Sequence, residues 1–121
     1  MQTQELLHRI RSLRYNHELA NATYTARALN ASCGDDISLH IKCSADGIVE
    51  AASFSGHGCA LCLVSADDWC AKAHGQKKGR LVGVGEQTVT DRLGFDPGPL
   101  RSRCAALVIE AWKKIEMIWE V

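Results

Sequence analysis

The sequence predicts an α+β protein in which a hairpin of strands stands between helical segments. Residues 2–18 carry the apolar spacing of an amphipathic helix, and residues 37–43 alternate strictly between apolar and polar side chains. Residues from about 100 to 121 carry a second, longer helical stripe. Strands and helices that are segregated along a chain indicate the α+β class rather than a doubly wound parallel sheet.

The first half of the chain contains the predicted helix and hairpin. The helix at 2–18 has one apolar face, formed by Leu6, Ile10 and Leu13. Residues 19–35 are polar and weakly patterned, so no element is predicted there. The first strand places alternate residues on one buried face, namely Ile37, Leu39, Ile41 and Cys43. Asp46-Gly47 is a strong hairpin turn signal, and residues 48–55 form the returning strand.

The second half is predicted to be helical. Gly56-His57-Gly58-Cys59 ends the returning strand. The elements expected after it are a helix at 60–74, a solvated loop at 76–80, a short helix at 88–93 that ends before Gly94, and a long helix from about 100 to 121.

Length and charge narrow the function classes. A chain of 121 residues suits one domain, taken here as 1–121. The 14 basic and 14 acidic side chains balance, which argues against a protein that binds nucleic acid through bulk charge. No apolar run approaches the ~20 residues that a membrane span needs. The first residues lack the features of a secretory signal, although Arg9, Arg11 and Arg14 leave an organellar transit segment as the less favoured alternative.

The six cysteines are expected to be reduced thiols in a cytoplasmic protein. Cys43 lies on the apolar face of a strand and Cys70 lies within a helix beside Trp69, so both are interpreted as small core residues. Three further cysteines, Cys33, Cys59 and Cys104, differ from these, because each lies at a break before a predicted helix or strand or at its start.

These three thiols are candidates for metal chemistry. The positive end of a helix and nearby arginines favour thiolate over thiol, and Cys104 is expected in the first turn or so of the last helix, after Arg101 and Arg103. Three thiolates and the Asp35 carboxylate would form a four-ligand set suited to tetrahedral zinc or to an iron–sulfur cluster. Cys62 completes a Cys-x-x-Cys with Cys59; it either reaches the same site or, as we favour, packs inward.

The motifs around these residues resemble those of the U-type iron–sulfur cluster assembly family, which includes IscU, SufU and the N-terminal domain of NifU. The matching stretches are Asn30-Ala31-Ser32-Cys33-Gly34-Asp35, Asp46-Gly47-Ile48-Val49, Phe54-Ser55-Gly56-His57-Gly58-Cys59, Val64-Ser65-Ala66 and Cys104-Ala105-Ala106-Leu107. The resemblance implies a SufE/NifU-like fold: a small antiparallel sheet of about three strands, with helices packed on one face. It also implies that Cys33, Asp35, Cys59 and Cys104 converge at one exposed end.

The resemblance further implies a function. Such proteins are not enzymes; they take sulfur from a cysteine desulfurase as a persulfide, combine it with iron, hold a transient [2Fe–2S] cluster and pass it to carrier proteins or apo-proteins. The family pattern makes Cys104 the persulfide acceptor in a scaffold and Cys33 the acceptor in a SufU-type member. The resemblance implies no nucleic-acid partner and no binding to a membrane, and it allows a homodimer.

Departures from the family pattern leave the subtype open. Ala31 replaces a proline, and Arg103 stands where the scaffold branch has a histidine; arginine stays protonated and does not bind metal. Pro97-Gly98-Pro99-Leu100-Arg101 replaces the segment that an Hsp70-type chaperone recognises in the scaffold branch. The alternatives are a zinc-bound, SufU-type sulfur acceptor that activates its desulfurase and, from another class, a structural zinc module that binds a partner protein.

Overall fold

The computed structural model describes residues 3–81 and 98–119 and has the predicted α+β architecture. The predicted helix at 88–93 lies outside these ranges. No helix within them is long and apolar enough to cross a membrane. The elements in chain order are α1 (Thr3–Arg11), β1 (Tyr24–Asn30), β2 (Asp35–Cys43), β3 (Val49–His57), α2 (Ala60–Ala73), α3 (Lys78–Leu81), α4 (Pro99–Ala105) and α5 (Leu107–Ile118).

The three strands form an antiparallel sheet in the order β1-β2-β3. The alternation predicted for β2 is confirmed, because Ile37, Leu39 and Ile41 are all 0% exposed. They join a core to which α2 contributes Trp69 and α5 contributes Trp112. Burial of each large apolar side chain stabilises the fold by about 1.5–3 kcal/mol.

Strand β1 was not expected, because residues 19–35 carry a weak pattern. The structure shows why: the middle of the core-facing side of β1 is formed by two alanines, with Ala26 opposite Leu39 and Ala28 opposite Ile37. Alanine gives little contrast between a covered and an open face, so the period of a strand is hard to read from the sequence. The strand is defined by its pairing with β2.

Helix α1 is shorter than predicted, since it ends at Arg11 rather than near residue 18. Asp67 of α2 accepts hydrogen bonds from the backbone N–H groups of Arg14 and Tyr15, at 2.9 and 2.8 Å. The carbonyl of Tyr15 in turn accepts the N–H of Phe54 in β3. These tertiary bonds hold the segment in an extended path along the sheet and prevent it from continuing the helix.

The long helix predicted from about 100 to 121 is two helices, with a break at Ala106 (φ −96°, ψ 3°). Ala106 is the C-cap of α4 and the N-cap of α5. The break places Cys104 in the last turn of α4 instead of the first turn of a long helix. The expectation that the positive end of that helix acts on Cys104 was therefore wrong.

Strands β2 and β3 approach closely beside Cys59, and Gly56 permits this approach. Its φ is +131°, and a Cβ atom added to it would lie 2.1 Å from the carbonyl oxygen of Asp36. No side chain fits there without moving the strand backbone. Gly75 also has a positive φ, of +78°, but a Cβ added there meets nothing within 4 Å.

Gly56→Ala is therefore expected to destabilise the protein more than Gly75→Ala does. Both substitutions add strain at a positive φ, of about 1–2 kcal/mol, but only the first adds a collision between strands. Urea unfolding monitored by circular dichroism measures the difference. Equal losses of unfolding free energy in the two variants would contradict the proposed role of the close approach.

Candidate metal centre

The turn between β1 and β2 carries the first candidate ligand. The backbone N–H of Cys33 donates to the carbonyl of Asn30 at 3.2 Å, and Gly34 adopts a φ of +71°. This tight turn, which its Asn, Gly and Asp residues favour, leaves the Cys33 side chain exposed. Asp35 begins β2 immediately afterwards and is only 1% exposed. The turn thus places an accessible thiol next to a buried carboxylate.

Asp35 ties this hairpin to helix α2. Its Oδ1 atom accepts the backbone N–H of Cys59 at 2.8 Å, and Cys59 is the N-cap residue of α2. The Cys59 side chain makes no capping hydrogen bond of its own. An acceptor from outside the helix is favourable at this position, because the N–H groups of the first turn lack partners within the helix. The negative carboxylate also complements the helix dipole.

Cys104 approaches the same place from α4. Its Sγ atom is 3.1 Å from Sγ of Cys33, and the ligand atoms of Cys33, Asp35 and Cys104 all lie within 4.8 Å of one another. Cys104 is 1% exposed, in contrast to Cys33. Two thiols and one carboxylate therefore meet within the distances that a single metal ion spans.

The electrostatics at Cys104 differ from the sequence-based expectation. Burial raises the pKa of the Cys104 thiol well above its usual range, and Cys33 and the Asp35 carboxylate shift it in the same direction. Arg103 does not offset these effects; its Nε atom lies 3.4 Å from Oε1 of Glu110 on α5. The Cys104 thiol therefore holds its proton near neutral pH until a metal or another electrophile displaces it.

Cys59 and Cys62 lie beside this cluster. The thiol of Cys59 is outside the group of atoms that are mutually within 4.8 Å. Burial raises the pKa of the Cys62 thiol, and negative charge at Asp35 shifts it in the same direction. Cys62 packs inward, as favoured, and is 1% exposed. A Cβ added to Gly58 would lie 2.7 Å from Oδ1 of Asp35 and 3.2 Å from Sγ of Cys62, so the glycine allows these groups to pack together.

Of the two remaining cysteines, Cys70 is a core residue as the sequence indicated, whereas Cys43 is only partly buried. Cys70 is 0% exposed within the core, and Cys43 is half-buried against it. One neighbour of the site was not singled out from the sequence. Asn30 is 2% exposed, and its Nδ2 atom donates to Sγ of Cys104 at 3.5 Å. Its place at the head of the Cys33-Gly34-Asp35 motif was the signal that could have identified it.

The fold and the site together define a small α+β protein in which thiols from three parts of the chain surround one buried carboxylate. A model of the family described as "NifU-like N terminal domain" matches residues 3–116. The iron–sulfur cluster assembly scaffold protein IscU of Thermotoga maritima is 30% identical over 104 residues, which cover 84% of this chain and 72% of that protein. The chain belongs to the family of NifU-like N-terminal domains.

Two solved structures have the same fold. One, from Fervidobacterium islandicum AW-1, is SufU, proposed as a scaffold for iron–sulfur cluster assembly in the SUF system; it has a TM-score of 0.72 and 20% identity, with 96% of this chain and 94% of that chain covered. The other is the N-terminal part of a NifU-like protein from Brucella abortus, with a TM-score of 0.74 and 16% identity, covering 93% and 89%. These likenesses confirm the predicted sheet with its packed helices.

The exposure of the thiols predicts an order of alkylation. In the reduced, metal-free protein, iodoacetamide is expected to modify Cys33 at least about tenfold faster than Cys104, since the thiol of Cys104 is buried and protonated. Peptide mass spectrometry after timed quenching measures each site, and Cys70 gives the rate for a fully buried thiol. Modification of Cys104 as fast as Cys33 would show that the site opens readily in solution.

Proposed function

We propose that this protein is a scaffold on which an iron–sulfur cluster is assembled and from which it is transferred. The observation that carries the proposal is the convergence of Cys33, Asp35 and Cys104 within 4.8 Å, with Cys59 held beside them by its bond to Asp35. The name of the Thermotoga maritima relative supports the same function. Cys33, Asp35, Cys59 and Cys104 are the proposed ligands, and the whole chain, residues 1–121, acts as one domain of the family.

The cargo is a [2Fe–2S] cluster built from iron and delivered sulfur. Thiolates are the ligands that iron–sulfur chemistry prefers, while a carboxylate is a harder and poorer match. A cluster held by three sulfurs and one oxygen is therefore bound more weakly than one held by four thiolates. Weak retention suits a protein that passes its cargo to carriers or apo-proteins, and such a protein acts as an acceptor and donor rather than as an enzyme.

Sulfur from a cysteine desulfurase enters, we propose, at Cys33. Transfer of a persulfide requires the sulfur atoms of the two proteins to meet, and Cys33 is exposed whereas Cys104 is 1% exposed. The Sγ atom of Cys104 lies 3.1 Å from that of Cys33, which supports a role for Cys104 in binding the delivered sulfur or the iron. Two thiols this close also form a disulfide readily, so the protein is suited to a reducing compartment such as the cytoplasm.

Zinc is the alternative occupant. Three thiolates and one carboxylate also suit tetrahedral Zn²⁺. Arg103 forms an ion pair with Glu110 and provides no ligand where the scaffold branch has a histidine, and this observation favours the zinc-bound sulfur acceptor as the second candidate. In that case the protein holds zinc at the same residues and activates its desulfurase by accepting sulfur on Cys33.

Anaerobic reconstitution with iron, cysteine and a cysteine desulfurase tests the proposal. The protein peak from gel filtration is expected to carry about two irons and two sulfides per site. Cys33→Ala, Cys59→Ala and Cys104→Ala are each expected to abolish this loading, because each removes a thiolate ligand. Cys70→Ala removes a buried thiol outside the site and is the matched control. Iron, sulfide, zinc and the visible spectrum are read on the same fractions.

The other outcomes separate the alternatives. A colourless peak that retains zinc and carries a persulfide on Cys33 would replace the scaffold with the zinc-bound acceptor. Zinc retained without any persulfide would indicate a structural zinc module. Loading that survives in all three site variants would overturn the proposed ligand set.

A further inference from the structure

Asn30 and Asp35 occupy directly opposed positions at the ends of β1 and β2 that flank the Cys33 turn. Opposed residues of an antiparallel pair project from the same face of the sheet. Both side chains are nearly fully buried, with 2% of Asn30 and 1% of Asp35 exposed. The hairpin therefore presents an amide and a carboxylate side by side on the face that Cys104 covers.

Each of these side chains uses one end to position the site. The Asn30 amide donates from Nδ2 to Sγ of Cys104 at 3.5 Å, and Asp35 accepts the N–H of Cys59 at Oδ1. These contacts help to orient both groups. The second terminal atom of each, Oδ1 of Asn30 and Oδ2 of Asp35, is buried and makes no hydrogen bond of ordinary geometry within the described residues.

Two buried oxygens without partners are unfavourable in the protein alone. Oxygen atoms of this kind normally accept hydrogen bonds, and leaving one unsatisfied away from water costs free energy. Serine hydroxyls that lack a partner, such as Ser53, can rotate to relieve part of this cost. A carbonyl or carboxylate oxygen cannot, so it requires a hydrogen-bond donor or a cation.

We propose that Oδ1 of Asn30 and Oδ2 of Asp35 form an oxygen pair that binds a divalent cation, Fe²⁺ in the functional protein, beside the thiols. Asn30 is thereby a metal ligand in addition to the cysteines and Asp35. This inference rests on the proposed function, since it identifies how the same site first binds iron. Oxygen ligands match a hydrated Fe²⁺ ion better than they match a soft cation that prefers sulfur.

A purely structural role for Asn30 gives a different expectation. If its amide only orients Cys104, removal of the side chain weakens the binding of every metal ion that uses that thiolate, whether hard or soft. If its oxygen is a ligand, removal weakens mainly the binding of cations that prefer oxygen ligands. A comparison of Fe²⁺ with Cd²⁺, which is softer and satisfied by thiolates, distinguishes the two roles.

Anaerobic calorimetric titration of the reduced full-length protein with Fe²⁺ and with Cd²⁺ is the test. Asn30→Ala is expected to weaken Fe²⁺ binding by about tenfold or more and Cd²⁺ binding by less than about threefold. Asn30→Asp restores an oxygen at the same position and is expected to recover Fe²⁺ binding to within about threefold of the parent protein. Ser53→Ala alters another buried, unpartnered oxygen and is expected to change neither. Circular dichroism checks the folding of each variant.

The possible outcomes distinguish this inference from the proposed scaffold function on which it rests. Equal weakening of Fe²⁺ and Cd²⁺ in Asn30→Ala, no weakening of either, or failure of a folded Asn30→Asp to recover Fe²⁺ binding overturns Asn30 as a ligand and leaves the proposed scaffold intact. If Cys33→Ala and Cys104→Ala bind Fe²⁺ as tightly as the parent protein, the proposed function fails, and the inference fails with it.

Discussion

The hydrogen bond from the Cys59 backbone to the Asp35 carboxylate is the interaction on which the site depends. It joins the hairpin of β1 and β2 to the start of α2 at a distance of 2.8 Å. The first N–H groups of a helix lack partners within it, and Asp35 supplies an acceptor for the N–H of the N-cap residue. One contact therefore satisfies a backbone group at the start of α2 and holds Cys59 beside the hairpin. One carboxylate oxygen of Asp35 is used by this bond, which leaves the other for the proposed metal.

Much of the architecture could be predicted because its causes are local. Strict alternation in β2 follows from which face is covered, and it is visible in seven consecutive residues, 37–43. The turn residues around Cys33 and the glycines before Cys59 restrict the backbone by their own chemistry. The separation of the core thiol Cys70 from Cys33 followed from the same patterns. Fold class and the neighbourhood of the turn therefore required no tertiary information.

Other features could not be predicted because partners distant in sequence determine them. Strand β1 has alanines at the middle of its covered face and is defined by pairing with β2. The early end of α1 depends on Asp67, which lies 53 and 52 positions from the two N–H groups it accepts. Cys104 is placed by a break at Ala106, for which the sequence offers neither glycine nor proline. The contact between Asn30 and Cys104 joins residues 74 positions apart.

The thiols of the site differ in exposure, so the site has one side that faces solvent and one side that is buried. Cys33 is exposed, Cys59 is half-buried and Cys104 is 1% exposed. With the proposed ligand set, a competing ligand that arrives from solvent meets the turn first, so exchange would begin at the Cys33 thiolate while Asp35 and Cys104 still hold the metal. The metal would then enter and leave past the same short turn. Burial would set the order in which the ligands exchange.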